Sequence, residues 1–244
     1  MREELKRIFL VRKCVGCRKI LEYESFNEAF CPSCKELYLG ARMDICPECA
    51  LEAEKCRCMP PLLKKEKVVS LRRLFFYSKR KEHEPQNRLI YYLKRNKSRR
   101  VNSFIASELA PIIRAELGKL QINEPPLIVG VPRSRSAMNE FGFDQSQMLC
   151  AALADSLFLE YHCYLKRRRG GKPQKSLTAG ERRKNIKDLI YVLPDDVEAI
   201  RGKNVVLIDD VVTTGATMSA CAHVLKECGA KNLLCIAIAS DIKM

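Results

Sequence analysis

Histidine is scarce in this chain, three residues in 244. His83, His162 and His223 form no recognisable catalytic set, which argues against chemistry centred on an imidazole. No run of eighteen apolar residues occurs, so no membrane insertion is expected. The start, Met1 to Arg7, lacks the apolar core of a secretion signal, and a cytoplasmic location is expected. No internal repeat is evident. Acidic residues are outnumbered, 29 Asp and Glu against 44 Lys and Arg, leaving a formal charge of +15. Such an excess implies an anionic partner or substrate, either nucleic acid or a polyphosphate.

Cysteine is abundant by contrast, at thirteen residues. Eight fall between residues 14 and 58 in paired spacing, and the others are scattered through apolar segments, a pattern that suits reducing conditions and zinc better than disulfides. Cys14 with Cys17 and Cys31 with Cys34 form two knuckles that can close one tetrahedral site of four sulfurs. Cys46 with Cys49 and Cys56 with Cys58 form a second set, although the one-residue spacing of the last pair makes a tighter loop. Four sulfurs per ion leave no open position, so zinc here is expected to be structural. So short a segment buries too little to fold alone, and metal would supply the folding energy. Met59-Pro60-Pro61 ends this region. The expected organisation is a double zinc-ribbon-like domain over 1–60 and an α/β domain over 61–244.

Further along, Leu71 to Tyr77 reads as a strand, and Pro85 to Lys94 as a helix with Leu89, Ile90 and Leu93 inward. The basic run Lys94 to Arg100 suits a helix C-terminus or a phosphate. Val101 to Leu117 is helical in pattern, with a kink or boundary expected at Pro111. Leu127 to Pro132 is a buried strand ending in a loop with Arg133 and Arg135, whose guanidinium forks match phosphate oxygens. Gly142 to Gln145 opens a helix. Tyr161 to Leu165 is a strand, and Lys166 to Lys175 is a basic loop suited to closing over a diphosphate. Ile186 to Leu193 is expected to rejoin the sheet, and Leu233 to Ala239 to be its last strand.

The most informative stretch is Val205 to Met218. Val205 to Ile208 read as a strand buried on both faces and ending at Asp209 and Asp210. Thr213-Thr214-Gly215-Ala216-Thr217 then leads into a helix with Met218, Cys221, Ala222, Leu225 and Cys228 on one face. Backbone N–H groups at such a helix start, helped by its dipole, suit a phosphate monoester. Two carboxylates repel phosphate; they are acceptors for a diol or a divalent metal. Phosphate beside diol describes a ribose 5-phosphate.

This stretch resembles the 5-phosphoribosyl 1-diphosphate (PRPP) motif of type I phosphoribosyltransferases. The resemblance implies that Asp209 and Asp210 hold the ribose hydroxyls, and that Val212, Thr213, Thr214, Gly215, Ala216 and Thr217 hold the 5′-phosphate. It also implies a type I phosphoribosyltransferase-like fold, a Rossmann-like parallel sheet flanked by helices, with Mg2+ accompanying PRPP. In pentosyl transfer, Arg133, Arg135 and Lys94 would take up charge on the leaving diphosphate. The full order is similar to the ComF family of phosphoribosyltransferase-like proteins: cysteine knuckles, Val131-Pro132-Arg133, Gly142-Phe143-Asp144-Gln145, Gln174 with Leu177, Glu181-Arg182 with Asn185, then the Asp-Asp-Thr-Thr-Gly cradle. That family includes competence proteins for uptake of transforming DNA.

Two positions depart from the family pattern. Phe141 and Asp144 stand where it usually has Arg and Asn, which should weaken anion binding. No residue set reads a nucleobase or amine acceptor. The rival expectation is a single-stranded DNA-binding protein in which basic runs neutralise phosphates and Phe75 to Tyr77, Tyr91 and Tyr92 stack on bases.

Overall fold

The structure, a computed structural model, describes residues 11–78, 82–168 and 189–241. It opens on a knuckle in which the Arg18 amide donates to the Cys14 carbonyl at 3.0 Å, with Arg18 at φ 67°. The same turn recurs at Cys46, where the Ala50 amide donates to the Cys46 carbonyl at 2.9 Å and Ala50 lies at φ 55°. Gly16 has to be glycine, because a Cβ there would sit 2.8 Å from Cys34 Sγ. Between the knuckles runs α1 (Pro32–Arg42), started by a proline whose missing N–H costs nothing at a first helical position.

After the second cluster come α2 (Pro61–Lys65), β1 (Ser70–Arg72), β2 (Phe75–Tyr77), α3 (Pro85–Arg95) and α4 (Arg99–Lys119). Then follow β3 (Leu127–Gly130), α5 (Arg135–Phe141), α6 (Gln145–Leu157), β4 (Leu165–Arg167) and β5 (Ile190–Val192). The chain closes on α7 (Val197–Ile200), β6 (Val205–Val212), α8 (Ala216–Glu227) and β7 (Leu233–Asp241). The main sheet has the order β1-β7-β6-β3, with β2 also on β7, and all its pairings are parallel. Loops after β3 and β6, which are neighbours, therefore open on one edge of the sheet, the usual place for a ligand.

Each face of the sheet has its own core. Val206, Ile208, Leu234 and Ile236 pack with Ile90, Ile105 and Leu149 of α3, α4 and α6. Val205, Leu207, Leu233 and Cys235 pack with Met218, Cys221 and Leu225 of α8. Two aromatics of the cysteine-rich segment enter the first core. Phe30 meets Phe104 edge-on at 5.7 Å, and Tyr38 meets Phe75 at 6.0 Å.

Several elements differ from expectation. The strand foreseen over Leu71 to Tyr77 is interrupted at Arg73 and Leu74, although its two halves keep one register on β7. No boundary falls at Pro111; α4 continues through it, because Ile105, Leu109 and Ile113 are all fully buried and outweigh one lost hydrogen bond. The segment before Leu193 does not rejoin the sheet, since β5 pairs antiparallel with β4 instead. The basic loop beyond Arg168, with Gln174, Leu177, Glu181, Arg182 and Asn185, lies outside the described residues. Among the described residues no helix is long and apolar enough to cross a membrane.

A buried ionic knot ties the second cysteine cluster to α4. Glu116, 1% exposed, accepts from Arg72, from Arg57 at 2.9 Å and from the Ser70 hydroxyl at 3.0 Å. Burial raises its carboxyl, but these donors more than reverse that and hold it below the usual carboxylate range. Its stabilising effect is therefore present above the ordinary carboxylate pKa and lost as pH falls through the lowered folded value. Glu116→Ala would leave Arg72 buried without its counter-charge. A urea melt is expected to show a loss of about 3–5 kcal/mol; a loss below about 1 kcal/mol would mean Arg72 finds another partner.

Candidate functional site

The cradle is built by β6, a short loop and α8. Contrary to the expectation that the strand ends at Ile208, β6 runs on through both acids to Val212. Side chains alternate along a strand, so the two carboxylates point to opposite faces. Asp209 continues the face of Val205 and Leu207 and lines a cavity of about 60 Å³ with Val211, Val212 and the bend Thr213 to Met218. The bend is not plugged: Thr213 and Thr214 are exposed. Gly215 caps α8 at φ +73°, the left-handed region that glycine enters without strain. The first helical amides of α8 have no intrahelical partner, and no acid occupies its first turn. This end of the helix is electropositive, with Asp209 of β6 as the carboxylate that shares its cavity.

Asp210 lies on the other side, under α3 and α6. Its carboxylate accepts from Gln145 Nε2, sits 3.4 Å from Lys94 Nζ and accepts from the Val211 amide at 2.6 Å. Asp209 accepts from the Asp210 amide at 2.8 Å. Burial, and then the neighbouring Asp210 charge, push the Asp209 carboxyl well above its ordinary pKa. A cation or a donor arriving here would relieve that repulsion.

The arginines were expected as free cations, and the structure gives them different surroundings. Arg133 donates to the Phe143 carbonyl at 3.0 Å and to the Lys94 carbonyl at 2.7 Å. Its guanidinium lies over the rings of Phe141 at 4.7 Å and Phe143 at 5.4 Å. It frames the loop and holds the backbone of Lys94. Arg135 begins α5 and is exposed. Asp144, feared as a repulsive charge, caps α6 by accepting from the Ser146 and Gln147 amides, and also accepts from the Arg133 amide. Sequence reading missed Gln145 as the partner of Asp210; its place directly after the helix cap was the available signal.

Each cysteine cluster brings its four sulfurs within 4.8 Å of one another. With Zn–S bonds of about 2.3 Å, such a set fits a closed tetrahedral site. Cys17 and Cys31 sulfurs stand 3.6 Å apart. Burial raises the thiol of Cys14, but amides of Cys31, Cys17 and Gly16 bring it down to about 7. Cys46 is likewise brought to about 7 by amides of Cys49 and Glu48 against the push of burial. The short Cys56–Cys58 spacing is accommodated, with the Cys58 amide donating to Cys56 Sγ at 3.4 Å. Arg73, fully buried, donates to Cys56 Sγ at 3.6 Å and to the Cys58 carbonyl. Burial pushes the Cys56 thiol up to about 11, and a guanidinium in that place works against burial by favouring the thiolate.

Residues 145–243 match the model of the phosphoribosyl transferase domain. The DNA utilization protein YhgH of Escherichia coli O157:H7 is 30% identical over 212 residues, covering 81% of this chain and 85% of its own. Competence protein F of Haemophilus influenzae is 26% identical over 151 residues, 62% of this chain and 66% of its own. The chain belongs to the ComF-like family of phosphoribosyltransferase-type proteins. A second YhgH, from Salmonella typhimurium, extends the likeness to 89% of this chain and 92% of its own at 29% identity. The ComF-like chain thus has the type I phosphoribosyltransferase fold, and its two four-cysteine clusters are consistent with a zinc ribbon before that domain.

Proposed function

We infer that this protein binds Mg-PRPP at the edge of its sheet. The observation that carries the reading is that Asp209 and the Thr213 to Thr217 bend face one open space. The bend amides would hold the 5′-phosphate, and Asp209 would accept from a ribose hydroxyl beside it. Asp210 would meet the ring from the opposite face once Lys94 leaves it. Lys94 and the exposed Arg135 are then the cations for the diphosphate, while Arg133 keeps the Lys94 backbone in place. Mg2+ would neutralise diphosphate charge. Pentosyl transfer at C1 is the chemistry such a site supports, through positioning and electrostatics without a protein nucleophile. Both cysteine clusters would hold zinc, and residues 1–60 would form the zinc-bearing unit. Names of the relatives support a role in DNA utilization and competence.

Phosphorus NMR tests the phosphate reading. With Mg2+ present, the 5′-phosphate resonance of PRPP is expected to shift and broaden on adding the protein, with the effect lost in Gly215→Val. A sharp, unmoved resonance would end the reading.

A second reading, nucleic-acid binding, is favoured by a cleft of about 500 Å³ lined by Arg12, Arg99, Arg100, Asn27, Ser103 and others. Arg99 and Arg100 occupy the first turn of α4, where the helix dipole repels cations, so an anion there would remove a repulsion. The basic run is thus split, with Lys94 and Arg95 ending α3 as a dipole prefers. The stacking platform is reduced: Phe75 and Phe76 are buried, while Tyr77, Tyr91 and Tyr92 are half-buried, the first two joined through their hydroxyls at 3.0 Å. Replacing Arg99 or Arg100 by Ala should lower the salt slope of single-stranded DNA binding by about 0.7 per guanidinium, with PRPP binding unchanged. An unchanged slope would remove the cleft from the DNA path.

A further inference from the structure

The segment that leaves the second cysteine cluster runs directly onto the phosphate bend. Met59 alone separates Cys58 from Pro60. Pro60 is buried over Gly215: a Cβ added to Gly215 would lie 3.1 Å from Pro60 Cβ, 3.2 Å from its Cγ and 3.5 Å from Leu63 Cγ. Gly215 therefore answers two demands at once, a left-handed backbone and the close approach of this proline. Behind it α2 lies along α8. The Ser219 hydroxyl donates to the Leu62 carbonyl at 3.4 Å, His223 Nδ1 stands 3.0 Å from the Glu66 carboxylate, and Leu63 is fully buried in the core that holds Val212 and Met218.

The other end of the segment is equally fixed. Arg73 donates to the Cys58 carbonyl and to Cys56 Sγ, and the Cys58 amide donates to Cys56 Sγ. Two consecutive prolines then leave little torsional freedom between cluster and bend. Among the described residues the first cluster has no such route. It rests on the opposite face of the sheet, with Gly16 against Pro85 and its carbonyl bonded by Arg88 of α3.

We propose that the second cysteine cluster, through Met59 and Pro60, is a clamp that sets the conformation of the Thr213 to Thr217 bend, with Pro60 as its positioning residue. Order in the bend then depends on the integrity of that cluster and not directly on the first. By reciprocity, whatever orders the bend also protects the second cluster. The affinity part of this proposal rests on the phosphate-site reading; the conformational part does not.

The test uses the zinc-loaded full chain and Pro60→Ala, which removes the ring contact and no ligand sulfur. Exchange of the Ser219 amide, which bonds the Gly215 carbonyl at 2.8 Å and so reports the bend, is expected to rise about tenfold in the variant, with both metal ions retained. Ribose 5-phosphate should bind it about fivefold more weakly. In the zinc-loaded wild type without a chelator, where only local opening exposes a thiol, saturating ribose 5-phosphate should slow alkylation of Cys46, Cys49, Cys56 and Cys58 and leave that of Cys14, Cys17, Cys31 and Cys34 unchanged. Unchanged exchange in Pro60→Ala, or equal protection of both clusters, would overturn the clamp. Should ribose 5-phosphate bind neither protein, the phosphate-site reading fails while the exchange result still decides the clamp.

Discussion

Stripping metal from the cysteine clusters should unfold the sheet together with them. On composition alone the segment 14–58 is expected to come apart by itself, leaving an intact α/β domain. The packing says otherwise: Phe30 and Tyr38 share a core with Phe75, Phe104, Leu89 and Ile105, and the buried Arg72–Glu116 pair joins the second cluster to α4. Losing these aromatics opens a cavity against α4 and the β2 edge of the sheet, where each large side chain removed costs about 3–5 kcal/mol. Binding of a structural zinc is worth about 10–16 kcal/mol, comparable with the whole stability of an ordinary domain at about 5–15 kcal/mol. Far-ultraviolet circular dichroism should therefore fall in one transition as a dye reports zinc release. A plateau retaining the helix signal of α4, α6 and α8 after all zinc has gone would show that the sheet stands alone.

Asp209→Asn should make the protein more stable and less able to bind Mg-PRPP. Burial and the adjacent Asp210 raise the Asp209 carboxyl well above its unfolded pKa, so the folded chain favours its neutral form. Its contribution to stability is full below the ordinary carboxylate pKa and is lost as pH rises through the raised folded value. An amide removes that penalty while keeping the shape. At pH 8 the Tm is expected to rise by roughly 2–4 °C, the size that 1 kcal/mol makes in a chain of this length. Below the ordinary carboxylate range the variant and the wild type should melt alike. Binding should move the other way, because the amide carries no charge for Mg2+ or for a ribose hydroxyl. For the wild type, affinity should improve as pH rises and Asp209 ionises. A variant that melts earlier than wild type at pH 8 would mean that the carboxylate is already compensated within the free protein.

Much of this was legible in sequence because the signals are local. Cysteines paired across two residues announce a knuckle, and the first cluster closes as its spacing suggests; the second closes too, despite the single residue between Cys56 and Cys58. The apolar run into Thr213-Thr214-Gly215 announces strand, bend and helix, and β6 and α8 follow it. What the sequence concealed depends on distance or on competition. Pro111 stays inside α4 because long-range burial of Ile105, Leu109 and Ile113 overrides a local rule. The opposed directions of Asp209 and Asp210 follow from extending the strand past Ile208, which hydropathy alone does not ask for. Arg133 was readable as a phosphate ligand, yet two carbonyls and two aromatic rings brought in by the fold occupy it. Contact between Pro60 and Gly215 joins distant parts of the chain and leaves no periodic trace.

The most direct test of the central claim, that the bend and Asp209 together form a phosphoribosyl site, is a calorimetric titration of Mg-PRPP into the wild type beside the double variant Asp209→Asn, Asp210→Asn. Saturable one-site binding by the wild type that vanishes in a folded double variant is the predicted result. Equal heats from both proteins, or none from a folded wild type, would contradict it.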